Sequence, residues 1–190
     1  MGRARLVSAF ALLAALLAAC GSSPTPKFAP PPPSSSVPGD PSTTAAADPL
    51  PPVMPELAKE HTVAGARHFA EFLLATLNYS EATLDSAPLG PLFSPGCAGC
   101  AGVVAFVRGI KKERGTLVGG RISGNGFVVT PLSVGSHQLM AVSFRYHSTR
   151  QVVRIPGRTP KVYSDAAAPL TLVLSALGGG WLVTSWEAHR

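Results

Sequence analysis

The chain has 190 residues, with 16 Lys and Arg against 10 Asp and Glu, and three cysteines. That length leaves room for one domain with a single core, and no internal repeat is visible. No second cysteine pair exists, which excludes a four-cysteine zinc site, and no phosphate loop, dinucleotide fingerprint or Ser-His-Asp signature is present.

The first element is a targeting segment. Arg3 and Arg5 precede an apolar run from Leu6 to Ala19, and small residues lead to Cys20. A basic start, a short apolar core and small residues at a cut site predict a secretory signal peptide over residues 1–19. The run has 14 positions, one of them Ser8, and Gly21-Ser22-Ser23 breaks it. A membrane-spanning helix needs about 20 apolar residues, so the run is too short to span comfortably. The ending Leu17-Ala18-Ala19-Cys20 resembles the lipobox of bacterial lipoproteins. The resemblance implies that Cys20 becomes the lipidated first residue of the mature chain; a cleaved signal without lipid is the alternative. One acyl chain anchors a protein only marginally and stable attachment takes two, which this modification supplies.

Residues 20–55 form the expected tether. They are rich in Pro, Ser, Thr and Ala, include Pro30-Pro31-Pro32-Pro33, and hold Phe28 as their only aromatic residue. Such a stretch buries too little apolar surface to order itself. Its coil span is on the order of 30–35 Å, enough to hold a domain off a bilayer.

Residues 56–190 are expected to be a single α+β domain. Val63, Ala66, Ala70, Leu73 and Leu77 recur at spacings of three and four, which predicts an amphipathic helix from Ala58 to about Leu77. Asn78-Tyr79-Ser80 ends or bends it, and a short turn over Glu81 to Ser86 is possible before Pro88. Leu89 to Gly96 carries Gly90, Pro91 and Pro95 and reads as loop. Cys100, Val103, Val104, Val107 and Ile110 predict another helix, closing at Lys111-Lys112-Glu113-Arg114-Gly115.

The period then changes to two. Thr116 to Val118 and Arg121 to Thr130 read as a glycine-interrupted strand or strand pair, with Gly119, Gly120 and Gly124 marking turns or bulges. Leu139 to His147 alternates, with Met140, Val142, Phe144 and Tyr146 on one face and Ser143, Arg145 and His147 on the other. Gln151 to Ile155 pairs with it as a hairpin, and residues 156–160 are a loop. Leu170 to Leu177, Gly178-Gly179-Gly180 and Trp181 to Ala188 form the clearest hairpin signal. Helices first and four to six antiparallel strands after them define the α+β class.

This element order, with the strand entry Gly179-Gly180-Trp181-Leu182-Val183, resembles the nuclear-transport-factor-2-like fold: helices packed on a curved antiparallel sheet, cone-like. Pro55-Glu56, Leu77-Asn78-Tyr79 and the run from Ser94 to Cys100 resemble actinobacterial lipoproteins carrying domain of unknown function 6318. That family brings no activity, so the resemblance implies no catalytic residues and no cofactor.

With Cys20 committed to lipid, Cys97 and Cys100 remain as an even pair, expected to form a disulfide in an oxidising compartment. The closed loop is tiny, so the stabilisation is roughly 2 kcal/mol. The rival is a redox-active pair at a helix N-terminus, although no buried strand precedes it as in thioredoxin. His61 and His68 are seven apart, too far to share a metal, and His137, His147 and His189 have no fixed spacing, so no metal site is expected. From Thr116 to Ala188 the carboxylates are Asp165 and Glu187 alone, so the sheet lacks paired acids for proton shuttling. Tyr79, Arg145 and His147 are the candidate polar spot; simple exposure is the alternative.

Losing Arg3 and Arg5 leaves 14 basic against 10 acidic residues, a net charge of +4. Ten of the basic residues fall between Arg108 and Lys161, against Glu113 alone. Outside a membrane, anionic lipid or acidic wall polymers suit such a stretch better than nucleic acid; ordinary solvated strand and loop faces are the alternative. The expected protein is a lipid-anchored module on the extracytoplasmic face of the cell membrane. It is expected to bind an envelope protein, a wall polymer or a small apolar molecule and not to be an enzyme. A thiol–disulfide oxidoreductase using Cys97 and Cys100, or an isomerase- or dehydratase-like enzyme in the cone, is the alternative.

Overall fold

The computed structural model describes residues 49–134 and 137–188. The expected signal peptide, Cys20, the tether as far as residue 48, and His189 lie outside the described residues.

A 3-10 turn at Glu56–Lys59 leads into helix α1, Val63–Thr83. Ala58 therefore belongs to the separate turn and not to the helix. Helix α1 starts where Thr62 Oγ1 accepts a hydrogen bond from the Gly65 N–H at 3.0 Å, an N-cap that satisfies one of the orphan amides of the first turn. The helix does not stop at Leu77. It runs through Asn78-Tyr79-Ser80 and ends at Leu84, whose φ of 55° is left-handed. The Asn78 amide explains the continuation: its Nδ2 donates to the Ile122 carbonyl at 2.8 Å and its Oδ1 accepts from the Ile122 N–H at 2.7 Å. The side chain that often terminates a helix is spent on a strand instead of on its own backbone.

A second 3-10 turn, Ala87–Leu92, occupies part of the expected loop, and Phe93 then makes a parallel bridge to Val183. Helix α2 spans Ala98–Lys112. Arg114, with φ of 53°, takes the left-handed position after it. Gly115 is needed for a different reason: a Cβ there would meet the Arg154 carbonyl at 2.8 Å.

Seven strands follow among the described residues: β1 Thr116–Gly119, β2 Ile122–Val134, β3 His137–Ser148, β4 Gln151–Arg154, β5 Lys161–Tyr163, β6 Ala166–Leu177 and β7 Gly180–Ala188. They form one sheet in the order β1-β4-β5 and another in the order β2-β3-β6-β7. The registers show that the two are halves of one bent ladder. Thr116 pairs with Arg154 and Gly119 with Gln151, and the same register continues from Ile122 with Ser148 to Asn125 with Arg145. Likewise Gln151 with Tyr163 continues as Ser148 with Ala166. Three long strands therefore bend together, at Gly119-Gly120, Thr149-Arg150 and Ser164-Asp165. The glycines make the bend possible: both have φ of 78°, and a Cβ on Gly119 would meet the Arg150 carbonyl at 2.2 Å. The only break in register along β2 lies between Asn125 and Val128, a bulge at Gly126-Phe127. Pro131 sits in β2, an edge strand, where a missing N–H is tolerated.

Alternation places Met140, Val142 and Phe144 on the inner face with Leu170, Leu172 and Leu174, and all six are buried. Helix α1 covers this face with Phe69, Ala70, Leu73, Leu74 and Leu77, also buried. Trp181 closes the core, and its Nε1 donates to the Glu60 carbonyl at 3.1 Å. The expected hairpin between β6 and β7 is present, with Leu177 paired to Gly180 across Gly178-Gly179. No helix among the described residues is long and apolar enough to cross a membrane.

Candidate functional site

The common bend opens a cleft of about 290 Å³. Gly120, Thr149 and Ser164, one from each bend, line it together with Tyr146, Tyr163 and Glu81. Glu81 stands on the last turn of α1, in phase with Leu73 and Leu77. The same stripe that packs the helix on the sheet therefore carries a carboxyl to the end of the core, where the sheet turns away. Gln151, the first residue of β4, donates from its Nε2 to Glu81 Oε2 at 2.8 Å.

Burial pushes the Glu81 carboxyl up from 4.5 to about 7, against the pull of the Gln151 hydrogen bond. Removing a carboxylate from water disfavours its charged form, and a neutral amide donor restores only part of the lost solvation. A carboxyl that changes charge near neutral pH inside a ligand-sized cleft is a functional-site candidate. Around it the lining offers the Ser148 and Thr149 hydroxyls and two phenol rings. The cleft can hold a hydrogen-bonding ligand by a carboxyl, an amide and hydroxyls, with aromatic faces beside it.

Sequence reasoning missed Glu81. The sequence pattern ends α1 at about Leu77, four residues short of Glu81, and so leaves this carboxyl outside the helix. The available signal was the spacing Leu73, Leu77, Glu81, which continues the buried stripe if the helix is extended by one turn.

The predicted polar spot does not assemble. Arg145 and His147 alternate with Phe144 and lie on the outer face of the sheet, opposite α1. Tyr79 is half-buried on α1, and its carbonyl accepts from Thr83 Oγ1 at 2.8 Å. Tyr79 and the two strand residues are thus separated by the sheet, a consequence of the period-two alternation of β3. His147 bonds Asn125 across the outer face, Nε2 to Nδ2 at 3.2 Å, and shares a shallow outer groove with Asp165. Glu187 is exposed and accepts from Ser185 Oγ at 2.8 Å. His61 precedes α1 and bonds the Gly180 carbonyl at 2.8 Å through Nε2, whereas His68 pairs with Glu71. Among the described residues no three His, Cys, Asp or Glu side chains gather where a metal ion could sit.

Cys97 and Cys100 form a disulfide with their Cα atoms 5.3 Å apart. Cys97 is the N-cap of α2, and its Sγ accepts from the Cys100 N–H at 3.3 Å. Both cysteines are buried, 2% and 1% exposed, within the main core.

The fold and cleft together define an α+β domain in which helices cover a bent antiparallel sheet and a ligand-sized cleft opens at the bend. Residues 37–184 match the family of unknown function DUF6318, and the chain belongs to that family. No curated protein matches the chain. Among solved structures it is similar to a chain whose name begins "Rd1NTF2", with TM-score 0.38 and 14% identity, covering 65% of this chain and 99% of that one. It is also similar to a protein described as "Putative calcium/calmodulin dependent protein kinase II association domain" from Xanthomonas campestris, with TM-score 0.40 and 14% identity, covering 74% of this chain and 94% of that one.

Proposed function

We propose that this protein is a lipid-anchored envelope module whose domain binds a small, neutral, hydroxyl-rich ligand, such as a sugar unit of a wall polymer, in the cleft at the bend. The observation that carries the reading is the half-buried Glu81 carboxyl facing that cleft with one amide partner. Carboxyl and amide groups accept and donate to hydroxyls, and tyrosine rings stack on the apolar face of a sugar ring. The signal-like start and Cys20 support the anchor, and the tether supplies reach.

The disulfide supports a structural role and not a redox one. Thiol–disulfide exchange requires a thiolate to reach a sulfur, and both cysteines are buried. A second reading has one observation in its favour: a carboxyl with pKa near 7 suits a general base in an isomerase- or dehydratase-like reaction. Binding is preferred because the partner of Glu81 is the neutral Gln151 amide, which neither takes nor supplies a proton. Titration of the full chain with chitotetraose tests the reading. Saturable binding that Glu81→Ala abolishes supports it, and binding indifferent to that substitution overturns it.

A further inference from the structure

A second groove lies between α2 on one side and β4, β5 and the segment joining them on the other. Its volume is about 390 Å³, within the range of small-molecule sites. Its apolar lining includes Phe106, Ile110, Val153 and Ile155. Ile110 and Val153 are buried beneath it, while Phe106 meets Tyr163 edge to face with ring centroids 6.3 Å apart. Space is left on α2 because position 109 is glycine: a Cβ added there would find nothing within 4 Å.

The charged side chains lining the groove are Arg158, Lys161 and Glu113. Arg158 Nη2 is paired with Glu113 Oε2 at 2.7 Å. Lys161 Nζ sits 4.7 Å from the Tyr163 ring centroid, and among the described residues no carboxylate pairs with it. The lining thus carries one net positive charge, within a stretch holding ten basic residues against Glu113 alone.

We infer that this groove binds a single-chain anionic amphiphile, a hydrocarbon chain ending in a carboxylate, with the chain on the Phe106, Ile110, Val153 and Ile155 surface and the carboxylate at Lys161. A purely polar ligand leaves the apolar lining uncovered, and an uncharged hydrocarbon leaves Lys161 without its counter-ion. The local excess of positive charge repels a cationic amphiphile. A groove of this volume takes one chain and not a bilayer surface. The inference does not depend on the Glu81 cleft, although Tyr163 lines both sites.

The test uses the full chain in phosphatidylcholine nanodiscs and a dodecanoate bearing a mid-chain diazirine, with photo-crosslinks mapped by peptide mass spectrometry. Crosslinks concentrated in residues 105–110 and 153–163 are expected. Gly109→Leu, which fills the groove, should reduce them at least about 10-fold while leaving the circular-dichroism melting curve in place. Lys161→Gln, an exposed substitution that spares the fold, should raise the half-saturating concentration about 5-fold. The matching dodecyl-trimethylammonium probe should not label the groove. Crosslinks scattered over the domain, equal labelling by the cationic probe, or unchanged labelling in both variants would overturn the assignment. Labelling that appears only when the nanodisc itself is anionic would overturn it too, because it would mark the bilayer surface as the partner.

Discussion

Gln151 and Glu81 meet at 2.8 Å across 70 residues of chain, joining the end of α1 to the start of β4. The amide holds the carboxyl, but burial dominates and raises its pKa from 4.5 to about 7. The folded state therefore keeps a proton that the unfolded chain has already released between those values. The contribution of this group to stability is fully present below pH 4.5 and is lost as pH rises through about 7. Glu81→Gln mimics the protonated form at every pH. In urea titrations the variant should match the parent at pH 4 and exceed it by roughly 1–2 kcal/mol at pH 8, a figure discounted for partial solvent access. A difference that does not change with pH would refute the burial argument.

The clamp between Asn78 and Ile122 is a second long-range tie, with both hydrogen bonds between 2.7 and 2.8 Å. Asn78→Ala removes both and leaves the backbone N–H and carbonyl of Ile122, a buried residue, without partners. The expected loss is about 2–3 kcal/mol. It should appear as a lower urea midpoint with an unchanged slope.

Gly119 and Gly120 sit where the first of the three long strands bends. Gly119→Ala places a Cβ against the Arg150 carbonyl and forces a left-handed residue. A loss of about 2 kcal/mol or more is expected. Because the bend shapes the cleft, chitotetraose binding should weaken with it. Gly102→Ala in α2, where an added Cβ meets nothing within 4 Å, serves as the control and should stabilise by about 0.5–1 kcal/mol.

The disulfide closes a very short loop, so its loss should be tolerated. Replacing Cys97 and Cys100 by serine together should lower stability by about 2 kcal/mol and leave the domain folded. In the parent, iodoacetamide labelling after mild reductant should be slow under native conditions and fast in denaturant, because both cysteines are buried. Rapid native labelling, or insulin reduction by the intact chain, would restore the redox reading.

Cys20 carries the proposed anchor. Intact mass spectrometry of chain taken from native membranes should show a diacylglyceryl-type mass increase on a mature form that begins at Cys20. Cys20→Ser should remove that increase and release the domain from the membrane fraction. An unlipidated parent of the same length would eliminate the anchor.

Much of the architecture was legible because it is local. The period-two alternation of β3 separates Phe144 from Arg145 and His147 wherever the strand is placed, and Gly178-Gly179 demands a tight hairpin. The apolar stripe of α1 announces the helix, and two cysteines three residues apart at a helix start can close on each other without help from the rest of the chain. Errors fell where a distant partner overrides local preference. Asn78 reads as a helix terminator until Ile122 engages its amide, and that local reading leaves Glu81 outside the helix that carries it. Tyr79, Arg145 and His147 are alike in being polar, and only the tertiary structure places the sheet between the first and the other two.

The sequence by itself determined that helices precede an antiparallel sheet, the inward alternation of β3 and the β6–β7 hairpin, since these follow from periodicity and turn chemistry. The hairpin expected between Leu139–His147 and Gln151–Ile155 is not formed, because β3 pairs with β2 and β6 while β4 pairs with β1 and β5. Only the tertiary structure decided that three strands bend at one level and that a cleft opens there. It also decided that Glu81 is drawn from water beside Gln151. The pKa of a carboxyl depends on the solvent it loses, and that loss is set by strands from distant parts of the chain meeting in one register.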